Sequence, residues 1–243
     1  VKDVPILLRA EGLDKSFGSL QVIQSLDLEL ADGEALGIIG PNGAGKSTLF
    51  GLIAGALKPE RGRILLDGRD ISGLSPQARC RAGIGRTFQI PHPFENLTVF
   101  ENIVVAAGHG SPRHRADLAD DCADVLERTG LIGLANTLGQ DLTLLQRKRL
   151  ELARALATGP RLLLLDEIAG GLTEAECEEL IELVRALRMD GITIIWIEHV
   201  VDVLLAVAER LIVLNFGRKI AEGEPAAVMN TAEVKEVYLG IAA

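Results

Sequence analysis

Along the first third of the chain, apolar and polar positions alternate or form short apolar runs closed by turn residues. The stretches "ILLRAEG", "QVIQSLDLEL" and "EALGIIG" predict three successive β-strands. A helix is predicted from Lys46 to about Ala54, and "GRILLDG" predicts another strand between turn glycines. The segment "RDISGLSPQAR" follows neither period and reads as polar, turn-rich chain leading to the short run "IGRTFQ". From Pro91 to about Ala157 helical periodicity dominates, interrupted by the loop "GHGSPRH" and by glycines near 130 to 139. "RLLLLDE" and "ITIIWIEH" have the composition of buried strands.

Between those two strands, residues 174 to 188 predict an amphipathic helix with Cys177, Leu180, Ile181, Val184 and Leu187 on one stripe. Its acids crowd the first turns and its arginines the last, as the helix dipole favours. Another helix is predicted to about Ala208, then a hairpin "RLIVLNFGRKIAEGEP" around Phe216-Gly217, then a short final helix "TAEVKEVYLG". Strands alternating with helices imply an α/β protein with a mostly parallel core. The helical middle looks inserted into that core, and the sequence has no internal repeat or low-complexity tract.

The candidate chemistry lies at the strand ends. Gly40-Pro41-Asn42-Gly43-Ala44-Gly45-Lys46-Ser47 fits the phosphate-loop pattern G-x-x-x-x-G-K-[ST] and sits between a predicted strand and a predicted helix. Glycines let backbone N–H groups surround phosphates, and the helix that follows adds its positive end. Lys46 has the reach for the outer phosphates, and the Ser47 hydroxyl can ligate Mg²⁺. Without a ligand the same stretch is a glycine-rich turn, but the flanking strand and helix favour a nucleoside triphosphate. "RLLLLDE" ends on Asp166-Glu167, so one carboxylate can hold hydrated Mg²⁺ and the other orient an attacking water. Alone, such a pair is more often a solvated turn; behind a phosphate loop it reads as a metal site with a base. His199, at the end of "IIWIEH", Gln89 in "RTFQIP" and the single tryptophan, Trp196, carry little singly. Trp196 is most simply a core residue.

Composition narrows the partners. The chain has 243 residues, 48% of them apolar and 24% charged, enough for one large domain with a sizeable core. A formal charge of -9 argues against nucleic acid as a partner, because phosphate backbones call for clustered Lys and Arg. The apolar runs are too short to cross a bilayer. "VKDVPILLRAEG" lacks an export-signal pattern. Cys80, Cys122 and Cys177 are far apart and odd in number, which fits reduced thiols in the cytoplasm and no metal spacing.

The order of Gly40 to Thr48, Gln89, the segment 141–156, Asp166-Glu167 and His199 resembles the ATP-binding cassette (ABC) proteins over essentially the whole chain. The resemblance implies the phosphate-loop ABC ATPase fold: a mostly parallel core sheet, an N-terminal antiparallel β subdomain and an inserted α-helical subdomain. It implies one cassette over 1–243, with 1–90 and 159–243 as core and 91–158 as insert. It implies ATP and Mg²⁺ as cofactors. Phe17 of "KSFGS" would stack on adenine, Gln89 would sense Mg²⁺ and contact the membrane subunit, Asp166 would hold the metal, and Glu167 and His199 would be catalytic. The insert would receive a coupling helix from membrane permease subunits, placing the chain at the cytoplasmic face of the membrane as a peripheral subunit. A second ATPase subunit, identical or different, would complete the sites, and a solute-binding protein would act indirectly. "IGRTFQIPHPFENLTVFENIVVAA" and "IAEGEPAAVMN...VKEVYLG" are similar to ATPase subunits of branched-chain amino acid importers and relatives such as urea importers.

One segment departs from the family. Where its members usually read L-S-G-G-Q, the loop that caps the opposite subunit's γ-phosphate, this chain reads Leu142-Thr143-Leu144-Leu145-Gln146. Thr143 and Gln146 keep the hydroxyl and the amide, but both glycines are gone. Leucine bulk obstructs close backbone approach and strains any position that needs φ > 0. Ile168 stands where a proline is usual, and Thr173 where an Asp or Asn is usual. Two readings follow: an asymmetric pair with one weak site, or a small backbone adjustment costing about 1–3 kcal/mol. The leading function is an energy-coupling importer ATPase. The alternatives are a soluble non-transport cassette, or a nucleotide-binding regulatory subunit with little turnover.

Overall fold

Two long strands, β1 (Ile6–Phe17) and β2 (Leu20–Ala31), pair antiparallel from Ile6↔Ala31 to Phe17↔Leu20. Their alternation buries Leu8, Ala10, Leu13, Ile23, Leu26, Leu28 and Leu30. The computed structural model describes residues 4–110 and 118–239. After β3 (Ala35–Ile39), buried at every position, the chain passes through the loop 40–45 into α1 (Lys46–Ala54). β4 (Arg61–Leu66) and β5 (Arg69–Asp70) complete a four-stranded sheet in the order β2-β1-β4-β5.

The stretch expected to be only turn-rich also holds a short helix, α2 (Pro76–Arg81). The Ser75 hydroxyl accepts from the Ala78 amide and Pro76 opens the first turn. Six residues show no readable period, yet cap and proline together are a start signal. A short strand β6 (Ile84–Arg86) precedes three helices, α3 (Val99–Gly110), α4 (Leu118–Arg128) and α5 (Leu144–Ala157). The loop expected at 108–114 is helical as far as Gly110; its remainder lies outside the described residues.

The last third holds β7 (Leu162–Asp166), α6 (Glu174–Met189), β8 (Thr193–Ile197), α7 (Val201–Val207), β9 (Arg210–Asn215), β10 (Arg218–Gly223), α8 (Pro225–Met229) and α9 (Ala232–Leu239). Helix α8 was not expected. Pro225 opens it and the Glu224 carboxylate accepts from the Ala226 and Ala227 amides. The hairpin β9–β10 turns where the sequence placed it, with Phe216 at φ 43° and Gly217 at φ 76°, the hand that suits two-residue hairpins.

The second sheet has the order β10-β9-β3-β8-β7-β6 and is parallel except for the β9–β10 pair. Both faces are covered. On β8, Ile194 and Trp196 pack with Leu150, Leu180 and Val184 on the helical side, while Ile195 and Ile197 face Leu49, Phe50 and the antiparallel sheet. The register pairs Ile38 and Asp166 with Ile197, so β3, β7 and β8 end side by side. In open α/β sheets, ligands bind at such carboxyl ends.

Candidate functional site

The loop leaving β3 is held shut by packing that only glycine allows at Gly45. That residue has φ 103°, and a Cβ there would lie 2.7 Å from the Val22 carbonyl oxygen. Hydrogen bonds from Gly217 N to Ala44 O (3.0 Å) and from Gln24 N to Gly217 O (2.9 Å) tie the loop to the β9–β10 turn and to β2. Helix α1 starts with no side-chain cap and no acid in its first turn. Its first amides thus meet no internal acceptor, the situation that favours an anion.

Lys46 is buried, and its ammonium donates to the carbonyls of Gly40 (2.6 Å) and Pro41 (3.2 Å). Burial pushes its pKa down, while the fields of Glu167 and Asp166 act the other way. Asn42, Gly43 and Ser47 are exposed and Thr48 is half-buried. An exposed hydroxyl at Ser47 and a carboxylate at Asp166 are hard oxygen donors, a set that fits Mg²⁺. Phe17 is exposed at the end of β1 with the Lys15 ammonium 5.4 Å from its ring centre.

Asp166 ends β7 and is bound by a residue the sequence reading did not single out. Arg86 Nη2 donates to Asp166 Oδ2 at 2.8 Å, and the guanidinium stacks beside Phe88 (5.1 Å) and Phe50 (5.9 Å). The signal was an arginine closing the short run before Gln89; only strand order puts β6 beside β7. Glu167 follows at φ 49°, a left-handed conformation that is unusual for a residue with a side chain. Its amide donates to the Ile197 carbonyl (2.9 Å). Its carboxylate takes Gln89 Nε2 on one oxygen (2.5 Å) and His199 Nε2 on the other (2.6 Å). Three residues from three distant segments thus meet at one carboxylate. His199 reaches it from the turn after β8, which ends at Ile197 rather than at His199 as expected.

The leucine-bearing segment corrects one expectation. Neither Leu144 nor Leu145 has positive φ; both lie in the first turn of α5. The backbone-strain argument therefore fails in this conformation. Thr143 is the N-cap, its hydroxyl accepting from Gln146 N (3.4 Å) while Gln146 Oε1 accepts from Thr143 N (2.9 Å). This is a closed capping box. Leu142 and Leu145 pack inward, and Leu145 is 9% exposed. Leu144 is 44% exposed, and its Cδ2 lies 3.4 Å from where a Cβ on Gly171 would stand. Only one of the two leucines faces outward.

Two buried charges near Glu167 also escaped the sequence reading. Lys148 of α5 donates to the Glu167 carbonyl oxygen (3.5 Å). Glu198 accepts from the amides of Ala169 (2.6 Å) and His199 (3.2 Å) and from the Trp196 indole (3.2 Å). A basic residue on an amphipathic helix and an acid after a strand gave no separate signal.

A phosphate loop before a helix, an acidic pair closing the next strand but one in the sheet, and a helical insert on a mostly parallel sheet define an ATP-binding cassette. The model of the ABC transporter family matches residues 23–170, and the chain belongs to that family. Over 96% of its length it is 38% identical to the high-affinity branched-chain amino acid transport ATP-binding protein LivG of Escherichia coli K12, covering 98% of that protein. It is 36% identical, over 96% of its length and 97% of the relative, to the lipopolysaccharide export system ATP-binding protein LptB of Haemophilus influenzae. A crystal structure of an ATP-binding cassette of an ABC transporter in its ADP conformation superposes with a TM-score of 0.90 at 32% identity, over 98% of this chain and all of that one. The chain is an ATP-binding and ATP-hydrolysing ABC transporter subunit related to the LivG and BraF proteins. Among the described residues no helix is long and apolar enough to cross a membrane.

Proposed function

We propose that this chain is the ATPase subunit of an importer for branched-chain amino acids, bound to permease subunits at the cytoplasmic face of the membrane. The observation that carries the ATPase part is the convergence of Gln89 and His199 on Glu167. The amino acid part rests on the similarity to LivG and BraF. In this reading the chain is one cassette with its insert over about 91–158.

In the proposed reaction, the loop amides and Lys46 hold the outer phosphates, and Phe17 offers its exposed ring to the base. Ser47, Asp166 and Gln89 would hold Mg²⁺, which would supply charge neutralisation for the phosphates. Glu167 orients the attacking water and accepts its proton; His199 Nε2 fixes the carboxylate. A second cassette caps the site with its own signature.

A groove supports docking of a permease helix. It is lined by Ala54, Pro76, Arg86, Phe88, Arg154 and Thr158. The test is co-purification with permease subunits in membranes, followed by ATP-driven leucine uptake into vesicles. ATP hydrolysis without leucine uptake, together with transport of another cargo, would refute the amino acid assignment. A second reading, a subunit with little turnover of its own, is favoured by Leu144 standing exposed on the signature.

A further inference from the structure

The turn that carries Glu167 is gripped from both sides by buried charges that touch neither the phosphate loop nor the proposed metal ligands. Lys148 is 4% exposed and Glu198 is 1% exposed. Lys148 reaches the Glu167 carbonyl from α5, and Glu198 reaches the Ala169 amide from the turn after β8. Between these two pins lies Ile168. Glu167 itself sits at φ 49°, which a free chain would leave.

We infer that Lys148 and Glu198 are positioning residues for Glu167, pinning its carbonyl and the Ala169 amide, and that they tie the carboxylate to the helix bearing the chain's own signature. The inference rests on the reading that this site hydrolyses ATP. Burying two charged groups is costly unless each is satisfied where it stands. Glu198 accepts three hydrogen bonds, from Ala169, Trp196 and His199. Burial lowers the Lys148 pKa, and the fields of Glu198 and Glu167 offset part of that. The arrangement has a directional consequence. A rigid shift of α5, as its N-terminus meets a partner's nucleotide, moves Lys148 and with it the Glu167 backbone. Glu198 holds the other end of the turn against the His199 amide, so carboxylate and histidine move as one unit.

The test uses the full chain, with kcat from steady-state Mg-ATP hydrolysis and affinity from fluorescent mant-ATP titration. Lys148→Met is expected to lower kcat about 10- to 100-fold while mant-ATP affinity stays within about twofold, because misplacing a reacting group costs rate and not ground-state binding. Lys148→Arg should restore at least half of the rate, and Glu198→Gln should lower kcat several-fold. Trp196, the single tryptophan, donates to Glu198, so its emission should shift in Glu198→Gln without nucleotide. Wild-type kcat in Lys148→Met would overturn the inference. So would parallel loss of rate and nucleotide affinity that arginine does not rescue, which marks a purely structural lysine. Glu167→Gln serves as control. Wild-type turnover no greater than that control would sink the hydrolysis reading itself, and the positioning role with it.

Discussion

The two leucines of the signature are predicted to behave differently when each is replaced by glycine. Leu145 is 9% exposed and packs inward from the first turn of α5. Truncating a buried leucine costs about 2–5 kcal/mol, because the transfer term and the cavity add. Glycine in a helix adds about 0.5–1 kcal/mol, so Leu145→Gly should lose roughly 3–5 kcal/mol. Leu144 is 44% exposed and rests on Gly171. About half of a full leucine burial is at stake there, and the total is about 1–2 kcal/mol. Urea unfolding followed by the fluorescence of Trp196 measures both. The rates should diverge in the opposite sense. If this segment caps a partner's phosphate as proposed, Leu144→Gly removes the exposed bulk, and close approach of the helix amides should raise dimer turnover about tenfold or more. Equal stability losses at the two positions would refute their placement. Unchanged turnover in a folded Leu144→Gly protein would show that side-chain bulk does not limit this signature.

Arg79 is 1% exposed and donates to the carbonyls of Leu52, Ile53, Ser72 and Leu74, so it anchors the C-terminal end of α1. Arg79→Met should cost about 3 kcal/mol in urea unfolding, since the orphaned acceptors are worth about 1–3 kcal/mol each and the lost guanidinium burial offsets part of that; a loss below about 1 kcal/mol would contradict it. Gly45→Ala places a methyl group 2.7 Å from the Val22 carbonyl oxygen at φ 103°. Mant-ATP binding should fall by at least an order of magnitude, about 1.4 kcal/mol, and retained affinity would mean the loop is looser than described. Burial, more than the field of Glu167, raises the Glu198 pKa above its unfolded value, while its three hydrogen bonds oppose this. The folded protein thus holds a proton there more tightly than the unfolded chain does. The ionised carboxylate costs stability at neutral pH, and that cost fades as pH falls through the raised value. Unfolding of wild type and Glu198→Gln should therefore converge as pH drops from neutral into the glutamate range, and a pH-independent difference would count against it.

The residues of the phosphate loop, Asp166 and Glu167 were legible because each depends on local chain chemistry. Glycines and a lysine lie at a spacing fixed by one turn, and two acids end an apolar run. The N-terminal strands, the helical insert and the β9–β10 turn were legible from periodicity for the same reason, whereas the antiparallel pairing of the first strands came from the family resemblance. Helices α2 and α8 were not, since five or six residues carry no period and only their caps announce them.

Tertiary structure decided what no window of sequence contains. Strand order sets β6 beside β7 and β7 beside β8, and so brings Arg86 to Asp166 and Gln89 and His199 to Glu167. Packing of α5 decided that Leu145 points inward and Leu144 outward, and it placed Lys148 against the Glu167 backbone. The physical reason is separation along the chain. A motif is set by bonds between neighbours, whereas these contacts join residues tens of positions apart and exist only once the two sheets and the insert have closed on a common core.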